Sequence, residues 1–286
     1  MKVKTAFSLM AILAVSLSSP AVADLAIGTE WQRMEGGAVR LIRASTAEPD
    51  GTYKAGLEFK LEPGWHTYWR YPGEAGIPTE ATFSGSTNLA DAELLFPAPK
   101  RYSDGFSTSL VYKDRVVLPL VLQRESANRT AVVNMTVSFG VCQHICIPAE
   151  QQLSLVLPRT GAADPDADAI INSAFASLPA RTTDEAGPFS KVEIVEGEAK
   201  PVLAIAAAVS APQDAVDLFV EGPAGSYNGV PELVEMDQNT AHWHLPLTGF
   251  PRSQDGLDLT LTLVTPNGSV EHKTHIPLPD EVKKKS

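Results

Sequence analysis

"YKAGLEFKLE" (residues 53–62) sets Tyr53, Ala55, Leu57, Phe59 and Leu61 against Lys54, Glu58, Lys60 and Glu62. Successive side chains of an extended chain point to opposite faces. This alternation therefore predicts a strand with one buried face and one wet face. The same period of two runs through "VNMTVSF" (133–139) and "LDLTLTL" (257–263). Further strands are predicted over 38–44, 115–123, 151–157, 191–196, 201–209, 215–221, 241–247 and 269–276. Pro, Gly, Asn and Asp clusters separate them at short intervals, which predicts antiparallel sheets rather than βαβ units.

One segment breaks the pattern. In "DPDADAIINSAFASLP" (164–179), Asp164 is placed to cap a helix and Pro165 suits its first position. Asp166 and Asp168 suit the positive end of the helix dipole. Ile170, Ile171, Ala174, Phe175 and Leu178 fall on one helical face, and Pro179 ends it. The chain has 286 residues, longer than the usual single domain. The expected fold is all-β: a first β-sandwich over 24–160, a short amphipathic helical linker over 161–182, and a second sandwich over 183–286.

The first residues have a different composition. Lys2 and Lys4 precede an apolar stretch, Ala6 to Leu17, and Ala21 and Ala23 occupy the small-residue positions of a cleavage site. Residues 1–23 are therefore expected to be a cleaved signal peptide, and the rest an exported chain. No apolar run approaches the roughly 20 residues that a spanning helix needs, so no membrane insertion is expected. The formal net charge is −11, and removal of 1–23, which holds two lysines and no acid, makes it more negative. Such a surface argues against nucleic acid and against docking on anionic lipid.

Both cysteines lie in "FGVCQHICIPAE" (139–150), with three residues between Cys142 and Cys146. Three chemistries fit. A structural staple closing so small a ring would contribute only roughly 2 kcal/mol, little for a chain with so many apolar strands. A metal clip would combine the two sulfurs with His144, a set suited to Cu(I) or Zn(II), but no His-rich or Met-rich tract accompanies it. A redox pair would open and close without moving the rest of the fold, and His144 would lend local positive charge to a thiolate. Short exposed bridges at a hairpin end are the exchangeable kind. The spacing is not C-x-x-C and no helix begins there, so a thioredoxin fold is not expected.

Four stretches then occur in a familiar order: "LEPGWHTYWRYPGEAGIPTE" (61–80), "FPAPKRY" (96–102), "VYKDRVVLPL" (111–120) and "CQHICIPAE" (142–150). Together they resemble the N-terminal periplasmic domain of the DsbD family, in the branch that includes the copper-tolerance protein ScsB. The resemblance implies an immunoglobulin-like sandwich in a bacterial periplasm, carrying an electron-shuttling pair at Cys142 and Cys146 and needing no cofactor. A membrane-embedded, CcdA- or DsbD-like reductase would reduce the pair, which would then reduce thioredoxin-like or disulfide isomerase proteins. In the best-known domain of the family five residues separate the cysteines, against three here. The family's membrane and thioredoxin domains have no counterpart in these 286 residues, which implies a separate reductase.

The resemblance also places His66 and Tyr68 beside the cysteines, as hydrogen-bond partners for a thiolate or leaving thiol. Phe106, in the polar loop "YSDGFSTS" (102–109), falls at the position of an aromatic cap over the disulfide. Nothing beyond a second β-sandwich is implied for 183–286. The competing expectation is a non-enzymatic copper-binding or assembly protein of the cell envelope, with the cysteines as ligands or staple.

Overall fold

A computed structural model describes residues 27–183, 187–197, 200–251 and 256–278. The expected signal peptide and the basic tail at Lys283–Lys285 lie outside the described residues. Strands dominate, numbered here in chain order. The first sheet holds β1 (Gln32–Met34), β2 (Gly37–Arg43), β3 (Tyr53–Leu61), β9 (Arg115–Arg124) and β6 (Leu89–Leu94), in that spatial order. The second holds β11 (Cys146–Leu157), β10 (Ala131–Cys142), β4 (His66–Gly73), β8 (Thr108–Lys113) and β7 (Lys100–Ser103), with β5 (Glu80–Thr82) paired to β10.

The third sheet runs β12 (Ala180–Thr182), β19 (Gly268–Ile276), β18 (Leu257–Thr265) and β15 (Asp217–Glu221). The fourth runs β13 (Phe189–Val195), β14 (Val202–Ala208), β17 (Thr240–Pro246) and β16 (Glu232–Asp237). The first two sheets share one core, in which Leu57, Phe59, Trp69, Leu118, Val137 and Phe139 are buried. Phe59 and Phe139 meet edge to face with centroids 5.0 Å apart, a favoured aromatic geometry. The last two sheets share another core, around Leu203, Ile205, Leu218, Trp243 and Leu261.

The predicted strands are present. The alternation in 53–62 matches β3, with Tyr53, Ala55, Leu57 and Phe59 buried. Glu58, expected on the wet face, is buried as well. It accepts from Arg40 Nε at 2.7 Å and pairs with Arg115, so its charge is compensated by neighbouring strands. Strand β10 runs past Phe139 to Cys142, and Pro148 lies inside β11, an edge strand where a missing N–H is tolerated. One pairing departs from the antiparallel expectation: β12 runs parallel to β19, because the chain leaving the helix enters the third sheet in that direction.

The helix α1 spans Pro165–Ala176, and Asp164 Oδ1 caps it by accepting from Ala167 N at 3.0 Å. Such caps contribute about 1 kcal/mol. The helix packs on the first sheet, where Ala167 and Ile171 are buried with Ile42. Gly56 leaves room for Ile171, since a Cβ there would lie 3.3 Å from its Cδ1. Asp168 accepts from Ser45 N and Oγ at 2.8 and 2.5 Å. The segment read as a linker is thus anchored to β2 and the residues that follow it. No helix among the described residues is long and apolar enough to cross a membrane.

Candidate functional site

Strands β10 and β11 form one long hairpin, and Cys142 and Cys146 are cross-strand partners at its mouth. Gln143, His144 and Ile145 make the turn. The two thiols are free, with Cys142 buried and Cys146 exposed. The difference follows from the neighbours. On the other side of β10, Cys142 pairs with His66 of β4, and it joins Tyr68, Val111 and Tyr102 in a small apolar cluster. Cys146 begins β11, which has no strand on its outer side among the described residues.

The Tyr68 hydroxyl lies 2.7 Å from Cys146 Sγ. Burial first, and then the neighbouring Cys146, push the Tyr68 phenol far above its ordinary pKa. It therefore keeps its proton at any physiological pH and donates to Cys146 whenever that sulfur is a thiolate. Burial raises the Cys142 thiol, the Cys146 contact adds to the rise, and Tyr68 opposes it. The pair is unequal: an accessible sulfur with a phenol donor, beside a buried one that holds its proton.

Two glycines shape the seat of Tyr68. A Cβ on Gly76 would stand 2.3 Å from Tyr68 Cδ1 and one on Gly140 would stand 3.2 Å from Cδ2, so the ring lies between bare backbones. Thr67 Oγ1 donates to Gly140 O at 2.8 Å, which ties β4 to β10 at this level.

His66, also on β4, is 2 % exposed, and its Nδ1 has no hydrogen-bond partner. Its ring packs against Tyr68 at 5.4 Å and Tyr102 at 4.6 Å. Burial lowers its pKa below 6.5, the Lys113 charge lowers it further, and Asp104 acts the other way. At neutral pH the imidazole is uncharged. Lys113 Nζ lies 4.3 Å from the Tyr102 ring centroid. Tyr102 and Lys113 are site residues that the sequence did not reveal, since the β7–β8 hairpin alone brings them to the cysteines.

His66, Tyr68, Tyr102, Phe106, Cys142, His144 and Cys146 line one cleft of about 420 Å³. All six residues singled out from the sequence are therefore in one place. Phe106 stands at the rim with 99 % of its surface exposed, its ring in solvent rather than over the sulfurs. Its loop is built on Asp104, whose Oδ1 accepts from Phe106 N and Ser107 N at 2.8 Å each, bonds that also lower the Asp104 pKa. His144 is exposed on the hairpin tip beside Ile145, itself 75 % exposed. Among the described residues no three or more His, Cys, Asp or Glu side chains are grouped to hold a metal ion.

Residues 38–158 match the family model described as thiol:disulfide interchange protein DsbD, N-terminal. No curated protein matches the chain. Among solved structures, the crystal structure of the N-terminal periplasmic domain of ScsB from Proteus mirabilis is similar, with 22 % identity and a TM-score of 0.69. That likeness covers 88 % of this chain and 99 % of the other, so the same fold extends through both sheet pairs. The endo-fucoidan hydrolase MfFcnA9 from glycoside hydrolase family 107 aligns at 11 % identity and a TM-score of 0.18. That alignment covers 76 % of this chain and 35 % of the other, and its score is too low for a shared fold.

Proposed function

We propose, from the match of residues 38–158 to the DsbD N-terminal family model, that the chain is a periplasmic dithiol–disulfide relay working through Cys142 and Cys146. The single observation that carries this reading is the unequal pair itself, one sulfur exposed under a phenol donor and its cross-strand partner buried. In the reduced form, Cys146 thiolate attacks a client disulfide and one client sulfur leaves as thiolate. Cys142 then loses its proton and attacks the Cys146 sulfur of the mixed disulfide, releasing the second client sulfur. Two electrons pass to the client, and the chain is left with a Cys142–Cys146 disulfide.

The other residues have roles in the same cycle. Tyr68 stabilises the Cys146 thiolate, and the uncharged His66 stands on the strand paired with Cys142 as a hydrogen-bond partner for a thiolate or leaving thiol. The proton that Cys142 gives up passes to the client thiolate released in the first step. His144 presents a polar ring on the exposed hairpin tip between the two cysteines. Phe106, together with Ile145, offers apolar surface on which a partner docks, and it is the residue that would cap the pair if its loop folded inward. The partners are a membrane-embedded CcdA- or DsbD-like reductase on one side and thioredoxin-like or disulfide isomerase proteins on the other. The immunoglobulin-like form of the two sandwiches belongs to the same reading.

The test is equilibration of the exported chain in glutathione buffers of graded potential, with free thiols counted by mass shift. A relay has a potential above about −300 mV, the region below which structural bridges lie. A value below that sinks the relay and makes the bridge a staple. Tight Cu(I) capture by thiols that never exchange would favour the metal-binding alternative.

A further inference from the structure

Residues 69–71 of β4 are held differently from the rest of the strand. β4 pairs with β10 only at His66 and Thr67. It pairs with β8 from His66 to Tyr68 and again at Gly73, with a register shift between. Residues 69–72 thus have no in-register ladder partner, and Trp69, Arg70 and Tyr71 reach across to β15, β19 and the loop after β15. The buried Trp69 ring lies 6.0 Å from that of Phe219 on β15. Arg70 donates from Nε to Glu221 at 2.7 Å and from Nη2 to Glu271 at 2.6 Å. Its guanidinium also lies 4.6 Å from the Trp69 ring centroid. The Tyr71 hydroxyl stands 2.8 Å from Oδ1 of the buried Asn228.

The other wall of the cleft is tied in the same way. Arg101 on β7 directly precedes Tyr102. It donates from Nη2 to Asp217 Oδ1 at 2.6 Å, from Nε to Oδ2 at 3.2 Å, and from Nη2 to Pro231 O at 3.0 Å. Both strands that bring aromatic rings to the sulfurs are therefore pinned, within two residues of those rings, by arginines bound to carboxylates of the C-terminal half.

We propose that the C-terminal sheet pair is a positioning device for the cysteine cleft, acting through Arg70 on Tyr68 and through Arg101 on Tyr102. The inference rests on the exchange reading above, and it gives 183–286 a part in that chemistry. A hydrogen bond to sulfur weakens steeply with distance and angle, so Tyr68 is useful only where β4 is held still. The ladder with β8 lapses beyond Tyr68, and the arginine–carboxylate pairs replace it. Bidentate or doubly paired arginine fixes orientation as well as distance, which a single apolar contact would not do. Arg70 and Arg101 are positioning residues, remote from the reacting sulfurs.

The test uses the full exported chain with Arg70→Met, Arg70→Lys, Glu221→Gln, Tyr68→Phe and the double variants with Tyr68→Phe. The reduced pair is reacted with glutathione disulfide across a range of pH, and thermal unfolding is recorded alongside. Loss of the Tyr68 hydrogen bond is expected to slow the reaction about tenfold, and Arg70→Met to slow it by about the same factor. The double variant is expected to react no more slowly than Tyr68→Phe alone, and Arg70→Lys to recover part of the rate. Glu221→Gln, which keeps an acceptor oxygen and the side-chain volume, serves the same cycle if Arg70→Met does not fold. Wild-type rates in folded Arg70→Met or Glu221→Gln overturn the inference. So do losses that multiply with Tyr68→Phe, since the clasp would then act only on stability. A wild-type pair inert to glutathione disulfide overturns the exchange reading and this inference with it, whereas an active wild type with unaffected variants overturns the inference alone.

Discussion

Cys142 and Cys146 face each other across the mouth of one hairpin, and only Cys146 is open to solvent. Their inequality comes from position in the sheet: Cys142 has β4 on its other side, and Cys146 begins the outermost strand. A partner therefore has one sulfur to reach, and in the proposed relay the buried one resolves. With Cys142→Ala, a thioredoxin-like protein whose single reactive cysteine is presented as its thionitrobenzoate mixed disulfide is expected to be trapped on Cys146 as a stable mixed disulfide, with thionitrobenzoate as the leaving thiolate. With Cys146→Ala the yield is expected to be at least about tenfold lower, since thiol exchange follows access. Non-reducing electrophoresis reads the result, and equal trapping by both variants would remove the distinction.

Tyr68→Phe keeps the ring that fills the apolar cluster and deletes only the hydroxyl at 2.7 Å from Cys146 Sγ. The thiolate loses a donor, and alkylation by iodoacetamide at neutral pH is expected to slow about tenfold. Stability should change by about 1 kcal/mol or less. An unchanged alkylation rate would mean that the hydroxyl does not act on the sulfur.

The amount of this that was legible in the sequence depends on how far each contact reaches. A half-buried strand records its buried face in its own residues, which is why β3, β10 and β18 were evident from alternation alone. The capped helix was evident for the same local reason. Glu58 was misread as wet because burial on the outer side of a sheet depends on what neighbouring strands supply, here Arg40 and Arg115. Arg70 carries no local mark of its partners, which lie 151 and 201 residues further along. Tyr102 has no local mark of its role. Cys142, Cys146 and His144 are marked by their own short stretch, whereas His66, Tyr68 and Phe106 come from the family resemblance, and their convergence on one cleft is not deducible from spacing.

His66 makes acidification costly. Its folded pKa lies below 6.5 because of burial and then Lys113, so the unfolded chain binds a proton there at higher pH than the folded one. The residue's effect on stability is therefore flat above about pH 6.5. Below that, stability falls until the lower folded pKa is passed. Urea midpoints measured at about pH 7.5 and pH 5.5 are expected to differ less in His66→Gln than in wild type. Equal differences would show that the imidazole is not the titrating group.

Phe106 stands open at the rim of the cleft, so Phe106→Ala is expected to leave reduction of the disulfide by dithiothreitol within about twofold of wild type, because a solvent-exposed loop residue makes few contacts that hold the fold. Reaction with a protein partner should weaken instead, since an exposed aromatic ring beside a reactive sulfur is a typical docking anchor. Stopped-flow rates for the small and the protein reductant separate the two effects. Markedly faster reduction by dithiothreitol would show that the loop spends its time folded over the sulfurs in solution.

The seat of Tyr68 is made by what is missing: bare backbone at Gly76 on one side of the ring and at Gly140 on the other. Gly76 also has φ +134, which L side chains rarely adopt, and a Cβ on Gly140 would come within 2.8 Å of Ile77 Cβ. A single methyl at either position would push the phenol off the sulfur while leaving both cysteines, the hairpin and the arginine clasp in the sequence. In the proposed relay, an intact cysteine pair is therefore an incomplete index of reactivity. A copy with alanine at either position is expected to keep its thiols and to react about tenfold more slowly, as Tyr68→Phe does.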